Sequence, residues 1–475
     1  MTPRQLRSAR RLRGQALVLG LLFVFAIAGI TFFMFNSGRA VDEKLRITNA
    51  ADAAAYSVAL MEARALNYDA HVNRAIVANQ IAIAQAVGLA SWLRYYESGT
   101  DNVGTLSGIA ASWLFNPDEY PRLAQLIVAL GAGAYAGGSS GYTGMTVDAL
   151  ETALAGIVRV HDTVSNALSL SQRLMHASLA SGVEQQRLAD DILAAIDPQL
   201  SASIHPATHD FPGFTQALGR SGRSGDARGR LADVVLRSRD DFSRQRSWSL
   251  HGPDIPFVQR NVRLKRRGGT DLIGYDEWRA LDTLEHEGQR WRKGRWRWRR
   301  TPVAGSAATV AANADDGSDG GKSTGTRGFH GGSYRDNSTT STTLAEPAMR
   351  DLGSVGARYS GLPETRELRD LGAGASYTSG LTLRVAKRRA HLRTSGGSSV
   401  VQPSGRLRQF DAPLAGGDMV ALARAEVFFE RPQPRTDGKT ELPSLYSPFW
   451  QVRLVNPTTA DRAWAAAQQD GLMLP

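Results

Sequence analysis

The chain has 475 residues, of which 42% are hydrophobic and 21% charged, and it carries a formal net charge of +11. This length supports two or three domains, and the absence of cysteine excludes disulfides, thiolate metal sites and cysteine nucleophiles. The positive balance favours an anionic neighbour: lipid headgroups, nucleic acid or an acidic surface.

Residues 1–14 form a basic tail, with Arg4, Arg7, Arg10, Arg11 and Arg13 and no acid. From Gln15 to Asn36 no residue is charged, and Leu, Val, Ile, Phe and Ala dominate. A helix needs about 20 apolar residues to cross the hydrocarbon core, so 15–36 is predicted to be a transmembrane helix. A cleaved signal peptide has an apolar core of about 7–15 residues ending in a small-x-small site. Here Phe32, Phe33, Met34 and Phe35 close a longer run, which favours an uncleaved anchor. Arginine is retained on the cytoplasmic side. Arg10, Arg11 and Arg13 therefore orient the N-terminus inward and send the bulk of the chain out. The expected location is a bacterial inner membrane, single-pass, with the C-terminal bulk periplasmic.

Residues 40–97 contain no Pro and a single Gly, Gly88, and are rich in Ala, Leu, Ile and Val, a composition that favours helix. This helix is expected to run on from the membrane span. Small residues at Ala50, Ala51, Ala53, Ala54, Ala55 and Ala59 let another helix approach closely. That neighbour can be a partner subunit or this same chain, and packing within the chain is the favoured reading.

Two segments here carry a resemblance. Arg13-Gly14-Gln15-Ala16-Leu17 opens the apolar helix and Asn49-Ala50-Ala51-Asp52-Ala53-Ala54-Ala55 follows it. Together they resemble the N-terminal region of TadG-like (TadE/TadG) proteins of Tad, or Flp, pilus assembly, over residues 10–65. The segments Leu66 to Ala75 and Glu441 to Trp450 look similar to a further branch of such proteins. Prepilin-like members are cut after a Gly and carry Glu five residues on; Leu19 stands there relative to Gly14, so processing is not implied. The Asp-x-Ser-x-Ser metal motif of members with a von Willebrand A domain is also missing, so no adhesive metal site is implied. The resemblance implies a membrane-anchored minor component of a pilus or its assembly platform. Its partners would be the inner membrane and other pilus-assembly or pilin-like proteins, with Asn49, Ala50, Ala51, Asp52, Ala53 and Ala54 as candidate contacts.

Further along, residues 120–137 read as a second apolar helix, too short for another span and ending in the Gly-rich stretch 131–141. Residues 145–182 read as a third. There Leu150, Leu154, Ile157, His161, Val164, Leu168, Ser171 and Met175 alternate spacings of four and three, a heptad seam with two polar interruptions. This helix is expected to pack on the 40–97 helix, making 37–197 a helical stalk or bundle. His161 on the seam reads as a satisfied core histidine rather than a switch. Residues 198–229 read as a linker. Leu231–Leu236, Trp278–Leu284, Leu381–Val385, Val427–Phe429 and Gln451–Val455 are strand-like runs. Residues 230–475 are thus expected to form a β-rich domain, broken by a polar, flexible insertion at 303–343. A short helix is expected over Thr458–Gln469. The fold class is α+β.

Trp291-Arg292-Lys293-Gly294-Arg295-Trp296-Arg297-Trp298-Arg299-Arg300 is the most conspicuous local feature. Trp and Arg together can stack on bases or sit at a membrane interface. The strict alternation instead favours a strand, with Trp296 and Trp298 on one face and arginines on the other. Pairing with Trp278 to Glu287 as a hairpin would set acids near these arginines. A lipid-headgroup or partner contact ranks second and nucleic acid last, because no nucleic-acid-binding signature accompanies the single basic run. Asp319-Gly320-Gly321-Lys322-Ser323-Thr324 lacks the first Gly and the context of a phosphate loop. His286-Glu287 lacks a second His four residues on, and His205 and His209 flank Pro206 with Asp210 beside them, a weak metal pattern. No Gly-x-Ser-x-Gly elbow occurs. No catalytic, cofactor or metal site and no small-molecule substrate is assigned. The expected role is non-enzymatic assembly, with two rivals: an envelope-surface module that binds lipid headgroups or polymers through the Trp/Arg strand, and a periplasmic hydrolase.

Overall fold

No proline interrupts the chain from Arg4 to Asp101, and one helix, α1 (Leu6–Asp101), occupies 96 residues of it. At 1.5 Å per residue its path is roughly 140 Å, several times a bilayer core of about 30 Å. The computed structural model describes residues 6–102, 107–108, 125, 141–207, 209, 211–218, 225–273, 275, 277–312, 353–369, 377–388, 391–393 and 418–469. The expected helix at 120–137, apart from residue 125, and the expected insertion from 313 onward lie outside them. The architecture is a long N-terminal apolar helix followed by a β-rich region, an α+β fold.

The chain divides into two compact units, and neither is continuous in sequence. The first comprises Met1–Tyr68, Leu174–Thr215 and Leu368–Pro475; the second comprises Asp69–Arg173 and Gln216–Glu367. This differs from the expected succession of stalk, linker and β-rich domain, because each unit combines a stretch of α1 with its own sheet.

After α1, the chain runs through α2 (Gly141–Ala180), α3 (Val183–Ile196), β1 (Leu200–Ile204), α4 (Phe211–Phe214), β2 (Thr215–Leu218), α5 (Gly225–Arg237), α6 (Asp241–Arg244) and β3 (Trp248–His251). Then come β4 (Gln259–Ile273), β5 (Glu277–Arg292), β6 (Arg295–Ala311), β7 (Gly353–Ser354), β8 (Thr365–Leu368), β9 (Thr378–Lys387), β10 (Met419–Phe429), β11 (Trp450–Val455) and α7 (Thr459–Gln469).

In the first unit the sheet order is β1-β9-β10-β11, antiparallel throughout. Period-2 alternation turns Leu381, Leu383 and Val385 of β9 and Ala421, Ala423, Ala425 and Val427 of β10 into one core. Ile47, Ala50, Ala51, Ala54, Ala55, Val58, Ala59 and Leu66 of α1 belong to the same core. Alanine on both sides keeps the helix close to the sheet, since no long side chain holds the backbones apart. At the C-terminal helix, Thr458 and Asp461 form a reciprocal cap: Thr458 N donates to Asp461 Oδ2 (2.7 Å) and Asp461 N to Thr458 Oγ1 (3.2 Å). Asp461 also accepts from Thr382 Oγ1 and from Arg424 Nη1, tying α7 to the sheet.

The second unit contains the sheet β3-β4-β5-β6-β7. Buried Trp278 of β5 and Tyr359 both donate to Gln80 Oε1 of α1, at 3.3 and 2.6 Å. An added Cβ on Gly88 would lie 2.7 Å from Thr270 Oγ1, so this glycine lets α1 approach β4.

Four expectations are corrected. Residues 198–229 contain β1, α4, β2 and the start of α5 rather than an unbroken linker. Residues 303–311 belong to β6, because each pairs with β5 instead of opening an insertion, save Val303 at the bulge opposite Leu284 and Glu285. Leu231–Leu236 is helical: Leu231, Ala232 and Val235 are buried at helical spacing, which prevails over the local β-propensity of Val234 and Val235.

The heptad seam of α2 is also displaced. Leu150, Ile157 and Val164 are 49%, 43% and 40% exposed, whereas Asp162, Ser165, Ser169 and Gln172 are buried. The middle of the buried stripe is polar, between Leu154 and Val158 on one side and Leu179 on the other. Ser360 donates to Asp162 through its backbone N and its Oγ, and Gln172 Nε2 donates to Asn73 Oδ1 at 3.0 Å. Apolar periodicity does not register a seam closed by hydrogen bonds. His161 is half-buried and bonded through Nδ1 to Asn79 Oδ1 at 2.6 Å, as expected of a satisfied histidine.

Candidate functional site

The first candidate region is the exposed end of α1. From Ala16 to Phe35 the side chains are exposed almost all round: Leu17 75%, Leu22 65%, Phe25 69% and Met34 68%. Its polar side chains bond back into the helix, as Thr31 Oγ1 does to Ile27 O (2.9 Å) and Asn36 Nδ2 to Phe32 O (3.1 Å). A surface apolar on every side with its hydrogen bonds closed internally suits hydrocarbon. It is the one stretch among the described residues long and apolar enough to cross a membrane. Arg10, Arg11 and Arg13 fall on the first turns of α1, and their side chains lie outside the described set.

The small-residue segment divides between two faces. Ala50, Ala51 and Ala54 are buried in the core of their own unit, so they pack inside this chain. Asn49 and Ala53 are exposed and Asp52 is half-buried. The two outlying segments of the resemblance meet. Asn67 Nδ2 donates to Trp450 O (2.9 Å), and Trp450 N donates to Asn67 Oδ1 (3.0 Å). The amide thus acts as a strand partner for the outer strand β11. Trp450 is 3% exposed and packs edge-on against Phe214 and Phe429. Sequence reading quoted both segments but had no means of pairing them.

The second candidate region is the hairpin of β5 and β6. Its turn is Lys293-Gly294, with φ of 52° and 74°. Two positive φ values in a two-residue loop make the turn that matches strand twist. The register pairs Arg292 with Arg295, Trp291 with Trp296, Arg290 with Arg297, Gln289 with Trp298, Gly288 with Arg299 and Glu287 with Arg300. Cross-strand partners share a face. One face therefore carries Trp291, Trp296 and Trp298, and the other Arg290, Arg292, Arg295, Arg297 and Arg299. The expected alternation holds. The expected acids reach one arginine at this end: Arg300 lies 4.0 Å from Glu285 and 3.8 Å from Glu287, on the tryptophan face. The other two carboxylates of β5 pair away from the tip, where Asp282 is opposite Ser306 and Glu277 opposite Ala311.

From Arg290 to Arg300 every residue but Trp296 is exposed. Trp296 is half-buried beneath Arg260, whose guanidinium carbon sits 4.4 Å from the ring centroid, and meets Trp291 edge-on at 5.3 Å. Trp298 is 53% exposed. Beside them, Trp291 N donates to Val258 O at 3.2 Å. Phe257 there is 80% exposed and Val258 54%.

Burial first, then the charges of Arg290 and Arg299, push the His286 imidazole down to about 4. The folded unit thus binds this proton more weakly than the unfolded chain, whose histidine titrates near about 6.5. Its stabilising effect is present above the unfolded value and is lost as pH falls from about 6.5 toward 4. Replacing Arg299 by glutamine is expected to raise the His286 pKa, as read by a proton NMR titration; an unchanged value would remove the field of the arginine face as a cause.

The remaining histidines have separate partners. His209 Nε2 meets Glu62 at 2.8 Å, while His205 stacks on Trp464 at 4.3 Å and accepts from Ala207 N. Among the described residues no group of three or more His, Asp or Glu is placed to hold a metal. Asp210 and the glycine–lysine run at 319–324 lie outside them.

No curated protein and no solved structure matches the chain. Residues 14–63, which hold the exposed apolar end of α1 and the alanine face that follows it, match the Tad family model, Flp pilus-assembly TadE/G-like, so the N-terminal region of this protein is TadE/G-like.

Proposed function

We propose that this protein is a single-pass, non-enzymatic component of a Tad/Flp-type pilus assembly. Residues 15–36 anchor it in the inner membrane, Arg10, Arg11 and Arg13 remain cytoplasmic, and the chain beyond residue 36 stands in the periplasm. The observation that carries the reading is the coincidence of the family match at 14–63 with an apolar helical stretch that no protein surface covers. Leaving such a stretch in water costs about 25 cal/mol per Å² of apolar surface, so it demands lipid or a partner helix. Contacts with other pilus components would then use helix packing in the bilayer and the exposed Asn49 and Ala53 outside it, with no reaction performed.

The test is topology and extraction. A C-terminal alkaline phosphatase fusion should be active, a C-terminal green fluorescent protein fusion dark, and the intact chain should stay with membranes in alkaline carbonate. A soluble mature protein that begins beyond Ser37, or a C-terminus detected only in the cytoplasm, would overturn the anchor and the orientation together.

A further inference from the structure

The arginine face of the β5–β6 hairpin carries an electrostatic cost that no ion pair among the described residues offsets. Arg290 stands opposite Arg297 and Arg292 opposite Arg295, while Lys293 occupies the turn between them. Like charges directly across a strand pair are destabilising. All of these residues are exposed, and the acids nearest this end, Glu285 and Glu287, are buried and directed to Lys265 and Arg300 on the opposite face.

On the other face Trp291 and Trp298 are exposed together with Arg300, and Phe257 and Val258 are exposed in the turn next to Trp291. An aliphatic side chain offers nothing to a nucleic-acid base, and one face of the Trp296 ring is already covered by Arg260. Five arginines on one face, with Trp291 and Trp298 on the other and Phe257 exposed beside them, make an interfacial amphiphile: the apolar groups enter the headgroup boundary, and the guanidiniums engage phosphates.

We propose that the tip of this hairpin, residues 290–300 with Phe257 and Val258, docks on an anionic phospholipid surface. The five arginines bind headgroup phosphates and Trp298 and Phe257 enter the interface. This site is independent of the membrane helix and of the assembly role.

The experiment uses the full chain held in phosphatidylcholine nanodiscs, mixed with separate vesicles. Vesicles containing phosphatidylglycerol should co-float with the protein, in a salt-sensitive manner, and pure phosphatidylcholine vesicles should not. A variant with glutamine at 290, 292, 295, 297 and 299 should lose at least about a hundredfold in apparent affinity, because each cation near an anionic surface contributes about 1 kcal/mol. The same five positions as lysine should retain most of it, which separates lost charge from lost folding. Phe257→Ser with Trp298→Ser should weaken capture about tenfold and leave the near-ultraviolet dichroism of the core intact. Absence of capture by the native chain, or capture unchanged in the glutamine variant, overturns the proposal. It is equally overturned if a short DNA duplex or polyglutamate binds more tightly than the vesicles and displaces them.

Discussion

Replacing Asp282 by alanine is expected to cost the second unit about 3–5 kcal/mol, enough to unfold it under conditions where the native chain is stable. Asp282 is fully buried on β5. Arg246 clamps it in two-pronged fashion, Nε to Oδ1 and Nη2 to Oδ2, both at 2.9 Å. Arg266 Nη2 adds a contact at 3.3 Å, and Ser91 Oγ of α1 donates to Oδ2 at 2.8 Å. Arg246 is itself buried and also donates to Phe242 O and Gly269 O. Removing the carboxylate leaves a guanidinium in low dielectric without its counter-ion, which is dearer than the pair was worth. The double variant Asp282→Ala with Arg246→Met should recover much of the loss. Urea unfolding followed by tryptophan fluorescence measures both. A single variant within 1 kcal/mol of the native chain, on the order of a surface substitution, would show that the pair is not isolated from water. The site has no spare volume: an added Cβ at Gly268 would lie 2.2 Å from Asp282 Oδ1.

The second large effect belongs to the first unit. Lys387, 1% exposed on β9, places Nζ 3.1 Å from Glu43 of α1 and 2.7 Å from Asp197. Arg393 is 3.5 Å from the second oxygen of Glu43. Lys387→Met should destabilise this unit by about 3 kcal/mol, since buried Glu43 keeps only the half-exposed Arg393. Burial pushes the Asp197 carboxyl up, but the Lys387 hydrogen bond, with help from Gln199 N, holds it below its ordinary value. A depressed carboxyl stabilises above its unfolded pKa, near about 3.9, and loses that contribution as pH falls through the folded one. Lys387→Met should therefore also flatten the acid limb of the stability curve below about pH 4. Thermal denaturation across that range reads both effects, and an unaltered acid limb would dissociate Asp197 from the lysine.

Several features were legible because their signal is local. The apolar stretch 15–36 is a run of uncharged residues next to arginines, and no tertiary contact is needed to see it. The hairpin announced itself by strict Trp/Arg alternation, whereas its turn at Lys293-Gly294, with two positive φ values, came from the structure. What alternation did not supply was the register. A slip by two residues would keep both faces and only exchange Glu287 for Glu285 opposite Arg300, whereas a slip by one would move the acids to the face of the other arginines; the pairing actually formed gives a carboxylate to Arg300 alone at this end.

Other features were settled by distant residues. The seam of α2 is closed by Asp162, Ser165, Ser169 and Gln172, polar groups whose burial is tolerable because Ser360 and Asn73 reach them from far along the chain. Asn67 and Trp450 join across most of the sequence. Sequence alone thus determined the long apolar helix, the α+β class and the amphipathic hairpin, since each follows from the period and polarity of neighbouring residues. Tertiary structure decided which helical face is buried, which segments share a core and which charges are paired. A buried polar group or ion is stable only with its partner in place, and the partner's position is a property of the fold.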